Sequence, residues 1–191
     1  DGTVDGLVEQ TIEQQVEASV DGEDLNLRQI SDNAVDYSDS TVEGWHLDLA
    51  YNGNAVGEQV VSSPVLRFGR LSLTTFTPSD NPCEFGGRSW FMQVDAQSGS
   101  RLDGSSIDVN NDGVIDEDDL IDLDGDGNSD SVSGRQLGGV IAQPVVINDS
   151  GQDRAIFSKL CNDQNCDKTE TELTRGGGLS VGRQSWREIQ W

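Results

Sequence analysis

Between Asp108 and Asp130 the chain carries ten acidic residues and neither Lys nor Arg. The run opens Asp108-Val-Asn110-Asn-Asp112-Gly113-Val114-Ile-Asp116-Glu-Asp118-Asp119. A calcium loop takes side-chain oxygens at positions 1, 3, 5 and 9, a backbone carbonyl at 7, an acid at 12, and glycine at 6 for the sharp bend. Asp108, Asn110, Asp112 and Asp116 stand at the side-chain places, Val114 at the carbonyl place, Asp119 at the last and Gly113 at the bend. The spacing has a physical cause. A hard cation of this size takes six to eight oxygens at about 2.3–2.6 Å, and a tightly coiled chain can offer a side chain only at every second residue. Ile115, two residues past the bend, is expected to point inward and fasten the loop to a core.

A second run follows at once, Asp122-Leu-Asp124-Gly-Asp126-Gly127-Asn128-Ser-Asp130. It repeats the pattern through position 9, but Ser133 stands where the twelfth ligand would be. Asp122, Asp124, Asp126, Asn128 and Asp130 are therefore expected to form a weaker second site, or to share acids with the first. A charge run is more often a solvated loop than a site. Two runs in one register, each with its glycine, argue for metal. Without a cation these acids repel one another, so the segment is expected to be ordered by Ca²⁺.

The elements that must hold such loops are strands. Across 191 residues there are 22 Gly, frequent Ser, Asn and Asp, and short runs rich in Val, Leu, Ile and aromatics, the composition of an all-β chain. Leu7 to Val20 is ambiguous: Val8, Ile12, Val16 and Val20 recur at helical spacing, yet Val and Ile also suit strands. Two internal echoes matter more. Ser63-Pro64-Val65-Leu66 and Gly69 to Phe76 are answered by Gln143-Pro144-Val145-Val146 and Asp153 to Phe157; Gly87-Arg88-Ser89-Trp90 is answered by Gly182-Arg183-Gln-Ser185-Trp186. Repetition of a small antiparallel unit is how propellers are built. The expected architecture is part of a β-propeller, about two to three antiparallel blades with an inserted EF-hand-like calcium loop. Residues 1–40 would be a partial blade or N-terminal extension, and 41–191 the C-terminal blades, with the calcium-binding insertion at 103–134.

The net charge of −23 and pI near 4.1 exclude nucleic acid and anionic membrane as natural partners, since both require a positive surface. No apolar run is long enough for a membrane span. No basic-then-apolar segment begins the chain, so either a leader lay upstream or the chain is a piece of a longer polypeptide. Cys161 and Cys166, separated by four polar turn formers, have the spacing of a small disulfide loop at a hairpin tip, which suits an exported protein; Cys83 is left over. Zinc is the competing use of three Cys and one His, but His46 is distant and the set lacks paired ligand spacing. His46 itself is expected to be a satisfied strand residue, and Trp45, Trp90 and Trp186 to pack in cores rather than form a carbohydrate platform.

An ordered set of strings runs along the chain: Gly44-Trp45-His-Leu-Asp-Leu49, Gly57-Glu58, Pro64-Val65-Leu66, Thr75-Phe76-Thr-Pro78, Pro82-Cys83-Glu-Phe-Gly86-Gly87-Arg-Ser89-Trp90, Asp95-Ala96, the loop from Asp108 to Asp116 and Gly182 to Glu188. Together they resemble the C-terminal part of the PilY-type pilus proteins, exported adhesins and biogenesis factors at the tip of type IV pili. The resemblance covers most of the chain from about Asp32 onward; the first thirty residues match poorly. It implies a modified propeller whose Ca²⁺ loop, at Asp108, Asn110, Asp112, Val114 and Asp116, couples metal occupancy to pilus extension against retraction, with roles in surface adhesion and contact sensing. It further implies minor pilins or other pilus-tip components, the remainder of the propeller and a host or abiotic surface as partners. The implied location is extracellular at the pilus tip, or associated with the outer membrane, after export through the periplasm.

Two other classes compete. A quinoprotein-like propeller enzyme shares the Pro-Val strand and the Trp strand. Against it, there is no Gly-x-Ser-x-Gly elbow, no phosphate-binding glycine loop and no paired carboxylates outside the acidic run, so no enzyme is expected. A dockerin-like protein-binding module shares the loop text but needs a helix after each loop, and Ser131-Val-Ser-Gly134 offers none.

Overall fold

A computed structural model describes residues 5–79, 86–149, 152–160 and 169–174. Cys83, Cys161 and Cys166, and with them the expected disulfide, lie outside the described residues, as do Trp186 and Trp191.

The chain opens with β1 (Leu7–Val20) and β2 (Glu23–Ile30), an antiparallel hairpin that pairs Val20 with Glu23. Asp21 and Gly22 both have positive φ, 51° and 86°, which a two-residue turn of primed type requires. This turn settles the ambiguity of the first segment: β-branched residues leading into Asp-Gly make a strand. Then come β3 (Gly44–Tyr51), β4 (Gln59–Val60), β5 (Val65–Arg67), β6 (Arg70–Pro78), β7 (Gly87–Asp95) and β8 (Gly134–Gly138). These eight form one sheet, ordered β3-β1-β2-β8-β7-β6-β4, with β5 also on β6. The β1–β3 pair is parallel and its neighbours are antiparallel. Residues on either side of position 40 thus share a sheet. A second sheet holds β9 (Val140–Ile141), β10 (Val145–Asp149), β11 (Gln152–Leu160) and β12 (Thr169–Thr174). The two halves of the first sequence echo are β5–β6 in the large sheet and β10–β11 in the small one; in the second echo Gly87 to Trp90 lies in β7, and Gly182 to Trp186 lies outside the described residues.

The large sheet rolls up into a nearly closed, barrel-like wall. Ile12, Ile30, Leu73, Trp90, Met92 and Val94 meet in one core, with Trp45, Leu47 and Leu49 of the edge strand β3 packed against it. Strands far apart in the sheet order can share that core only if the sheet curls. Its outer face is covered twice. Phe91 and Leu137 pack with Ile141, Ala155 and Phe157 of the small sheet, the Phe91 and Phe157 rings meeting edge to face at 4.9 Å. Leu25 and Leu27 of β2 pack beneath Val109, Leu123 and Val132. Those last residues belong to the span Ala96 to Ser133, which runs between the adjacent antiparallel partners β7 and β8. The acidic run is therefore an insertion within one sheet. Arg67 of β5 grips Asp153 of β11 with two hydrogen bonds, 3.0 and 3.1 Å, tying the two sheets together.

Inside the barrel wall sits an ion pair. The Arg28 and Glu58 side chains are each 2% exposed, and Nη1 and Nη2 of Arg28 donate to the two carboxylate oxygens at 2.8 and 2.9 Å. Arg28 also donates to Gln15 Oε1, the Thr75 hydroxyl donates to Glu58, and the guanidinium lies 3.9 Å over the Trp90 ring. Side chains from β1, β2, β6 and β7 thus converge with Glu58 on one charge pair. Replacing one partner leaves the other as an uncompensated buried charge. Arg28→Met is expected to lower unfolding free energy by about 3–5 kcal/mol, read from the urea midpoint; a loss below about 1 kcal/mol, the worth of an exposed pair, would contradict this arrangement.

Candidate metal centre

Both acidic runs fold into the same loop, and the repeat is visible bond by bond. The carboxylate at position 1 accepts the amide of the position 6 glycine: Asp108 Oδ2 from Gly113 at 2.9 Å, Asp122 Oδ2 from Gly127 at 3.0 Å. Position 3 accepts the amide of position 5, Asn110 from Asp112 and Asp124 from Asp126, each at 3.0 Å. Position 5 accepts that of position 7, Asp112 from Val114 at 2.8 Å and Asp126 from Asn128 at 2.7 Å. Gly113 and Gly127 have φ of 91° and 89°, the left-handed bend that lets the coil turn back on its first acid.

The loops close differently. In the first, the position 12 acid Asp119 is fully buried and accepts amides from Val109, Asn110 and Asp116, drawing the end of the loop onto its beginning. Asp116 caps the short 3-10 turn Glu117–Asp119 by accepting from Asp118. In the second, that work falls to position 9: Asp130 accepts the Leu123 amide at 2.9 Å and Gln29 Nε2 at 3.1 Å, and Asp130 and Ile121 exchange backbone hydrogen bonds. Ser133 is buried and committed to the sheet, its hydroxyl accepting from Ile30 and its backbone bonded to Arg28 and Gln93. The second loop is complete three residues earlier than the first.

Both loops are nailed down by the apolar residue at position 2. Val109 and Leu123 are 3% and 5% exposed and share a core with Leu25 and Leu27. Sequence reasoning looked to Ile115, which is only half-buried, and missed these two. The signal was present, since each run reads acid, then aliphatic, then oxygen ligand. Immediately before the first loop, Ile107 is buried in the other core, against Phe91 and Phe157. Asp108 is consequently held between two anchored apolar neighbours and is only 4% exposed. Its Oδ1 is buried and has no hydrogen-bond partner among the described residues.

A buried carboxylate oxygen without a donor is costly unless a cation meets it. The electrostatics point the same way. Burial pushes the Asp119 carboxyl above the ordinary aspartate range; the three amides it accepts oppose that shift and the neighbouring Asp108 charge adds to it. The residue types of the first loop suit a hard divalent ion, with an orphan oxygen at Asp108, further oxygens on Asn110, Asp112 and Asp116, and the Val114 carbonyl, but the structure does not gather three of its carboxylates as closely as those of the second. In the second loop Asp122, Asp124 and Asp130 bring carboxylate oxygens within 4.8 Å of one another, while Asp126 accepts both the backbone and side-chain amides of Asn128. Those hydrogen bonds hold Asp126 below the ordinary aspartate range.

No family model matches this chain. It is 27% identical over 175 residues, 86% of this chain, to the type IV pilus biogenesis factor PilY1 of Pseudomonas aeruginosa strain UCBPP-PA14. It is 28% identical over 147 residues to the protein of the same name from strain PAO1, and 27% identical over 167 residues to a PilY1 homolog of Xylella fastidiosa, 77% of this chain in each case. The chain spans only 14%, 12% and 11% of the length of those relatives. The crystal structure of the Pseudomonas aeruginosa PilY1 C-terminal domain superposes with a TM-score of 0.70 over 91% of this chain and 32% of that one, at 21% identity, a likeness of fold. Sequence likeness to the relatives and fold likeness to a solved domain agree: the chain is similar to the PilY-type proteins, in their C-terminal part.

Proposed function

We propose that the chain is the calcium-binding C-terminal module of an exported type IV pilus-associated protein, acting in pilus biogenesis and, through the metal, in extension against retraction, adhesion and contact sensing. The relatives support the pilus part of this reading, being named as pilus biogenesis factors. The observation that carries the calcium part is the orphan Oδ1 of Asp108, buried at the head of a loop whose oxygens stand at the required spacing. The first loop is the principal site. The second, more exposed, holds an ion through Asp122, Asp124 and Asp130 with lower affinity. The rest of a propeller-like domain, minor pilins or other tip components, and a surface outside the cell are the partners of this reading. Among the described residues no helix is long and apolar enough to cross a membrane.

The proposed role is one of switching and binding, with no catalysis. Cation binding draws the oxygens of Asp108, Asn110, Asp112 and Asp116 together, and the aliphatic anchors Val109 and Leu123 carry that order to β2. The dockerin-like alternative loses ground on one observation: among the described residues the sole helical element is the three-residue turn at Glu117–Asp119, with no helix after either loop.

Ca²⁺ bound by the folded chain alone stabilises it by mass action, about 2.7 kcal/mol at a hundredfold excess over Kd. The melting temperature should therefore fall when calcium is chelated; coincident melting curves with and without chelator would remove the metal claim. Asp112→Ala should abolish the tighter site in calorimetry and leave the weaker one. Two sites of unchanged affinity in that variant would show the ligand assignment to be wrong.

A further inference from the structure

A second cluster of metal-ligating side chains sits where β1 meets the edge strand β3, on residues outside the acidic run. Glu9 of β1 and His46 of β3 are direct partners in the parallel pair, and Asp48 follows two residues along β3. Opposed residues and residues two apart share one face of a sheet. Trp45, Leu47 and Leu49 turn the other way, into the barrel core. One imidazole nitrogen and one oxygen from each carboxylate all lie within 4.8 Å of one another.

The state of the histidine makes this more than a charged edge. Both His46 ring nitrogens are shut off from solvent, and neither has a hydrogen-bond partner among the described residues. A neutral imidazole has one N–H to give and one lone pair to fill, so leaving both idle is costly. The expectation of a satisfied strand histidine is not what the structure shows. The carboxylates stand beside the ring without bonding to it, as they would around a cation. Glu9 and Asp48 are exposed, so an ion can enter from solvent.

We propose that Glu9, His46 and Asp48 bind a divalent transition metal of the Zn²⁺ class, one nitrogen and two oxygens from the protein, with remaining positions open to water or to a partner's side chain. Bonds of about 2.0–2.2 Å place the donors of a tetrahedral site about 3.4 Å apart, a small contraction from the arrangement seen. Two carboxylates balance the ion's charge. Imidazole suits Zn²⁺, Cu²⁺ or Ni²⁺ and is foreign to calcium, which takes oxygen, so the two kinds of site select different ions. The ion would cross-link β1 to the edge strand β3 just before the register shift between Gln10 and Ile12.

The test is titration of the full chain with Zn²⁺ by calorimetry, in saturating Ca²⁺ so that the acidic loops are filled, with Co²⁺ absorption as a spectroscopic readout. One Zn²⁺ should bind, His46→Ala should weaken it by about 100-fold or more, and Glu9→Gln by about tenfold. A variant with Cys83, Cys161 and Cys166 all changed to Ser should bind as the parent does. Glu9 is exposed, so Glu9→Gln keeps the test decisive if His46→Ala fails to fold. Undiminished Zn²⁺ affinity in Glu9→Gln, loss of binding in the Ser variant, or displacement of Zn²⁺ by Ca²⁺ would each overturn the proposal.

Discussion

Asp108 is where the demands of packing and of charge collide. Its neighbours Ile107 and Val109 are driven into two different hydrophobic cores, and the backbone between them cannot turn the carboxylate out to water. One oxygen is met by the Gly113 amide and the other by nothing. Hydrophobic burial of aliphatic side chains, each contributing about 1.5–3 kcal/mol, is strong enough to hold an acid in so unfavourable a place. A bound cation turns that cost into affinity, because the oxygen is already stripped of water and already aimed.

The same anchors connect the loops to the barrel. Leu25 and Leu27 face outward from β2 onto Val109 and Leu123, while Arg28 and Ile30 of the same strand face inward, Arg28 onto Glu58 and Trp90. One strand thus has the acidic loops on its outside and the buried ion pair on its inside. On the proposed reading, a cation that orders the loops acts on a strand that cannot shift without disturbing a charge pair.

The parts of this arrangement that depend on short spans of chain were legible in the sequence. The spacing of the acids and the glycine bends concern neighbours within a dozen residues, and the two runs fold alike. The strand before Asp21-Gly22 was legible too, had the turn been given more weight than the helical spacing of Val8, Ile12, Val16 and Val20. Closure of the second loop at Asp130 was not, because it depends on a backbone bridge to Ile121 and on Gln29, far away in sequence. Nor was the sharing of one rolled sheet by β1 to β8, since strand order is set by long-range pairing that local pattern does not encode. His46 reads as an ordinary strand residue until its parallel partner Glu9 is known.

The central claim, that a cation completes an acid trapped between two cores, is tested most directly by amide hydrogen exchange with and without Ca²⁺, resolved along the chain. The account predicts slower exchange in Asp108 to Asp130 on adding Ca²⁺, and slower exchange at Leu25 and Leu27 of β2, against which the aliphatic anchors pack. Identical exchange in the two conditions, or protection confined to the loops with β2 unchanged, would contradict it.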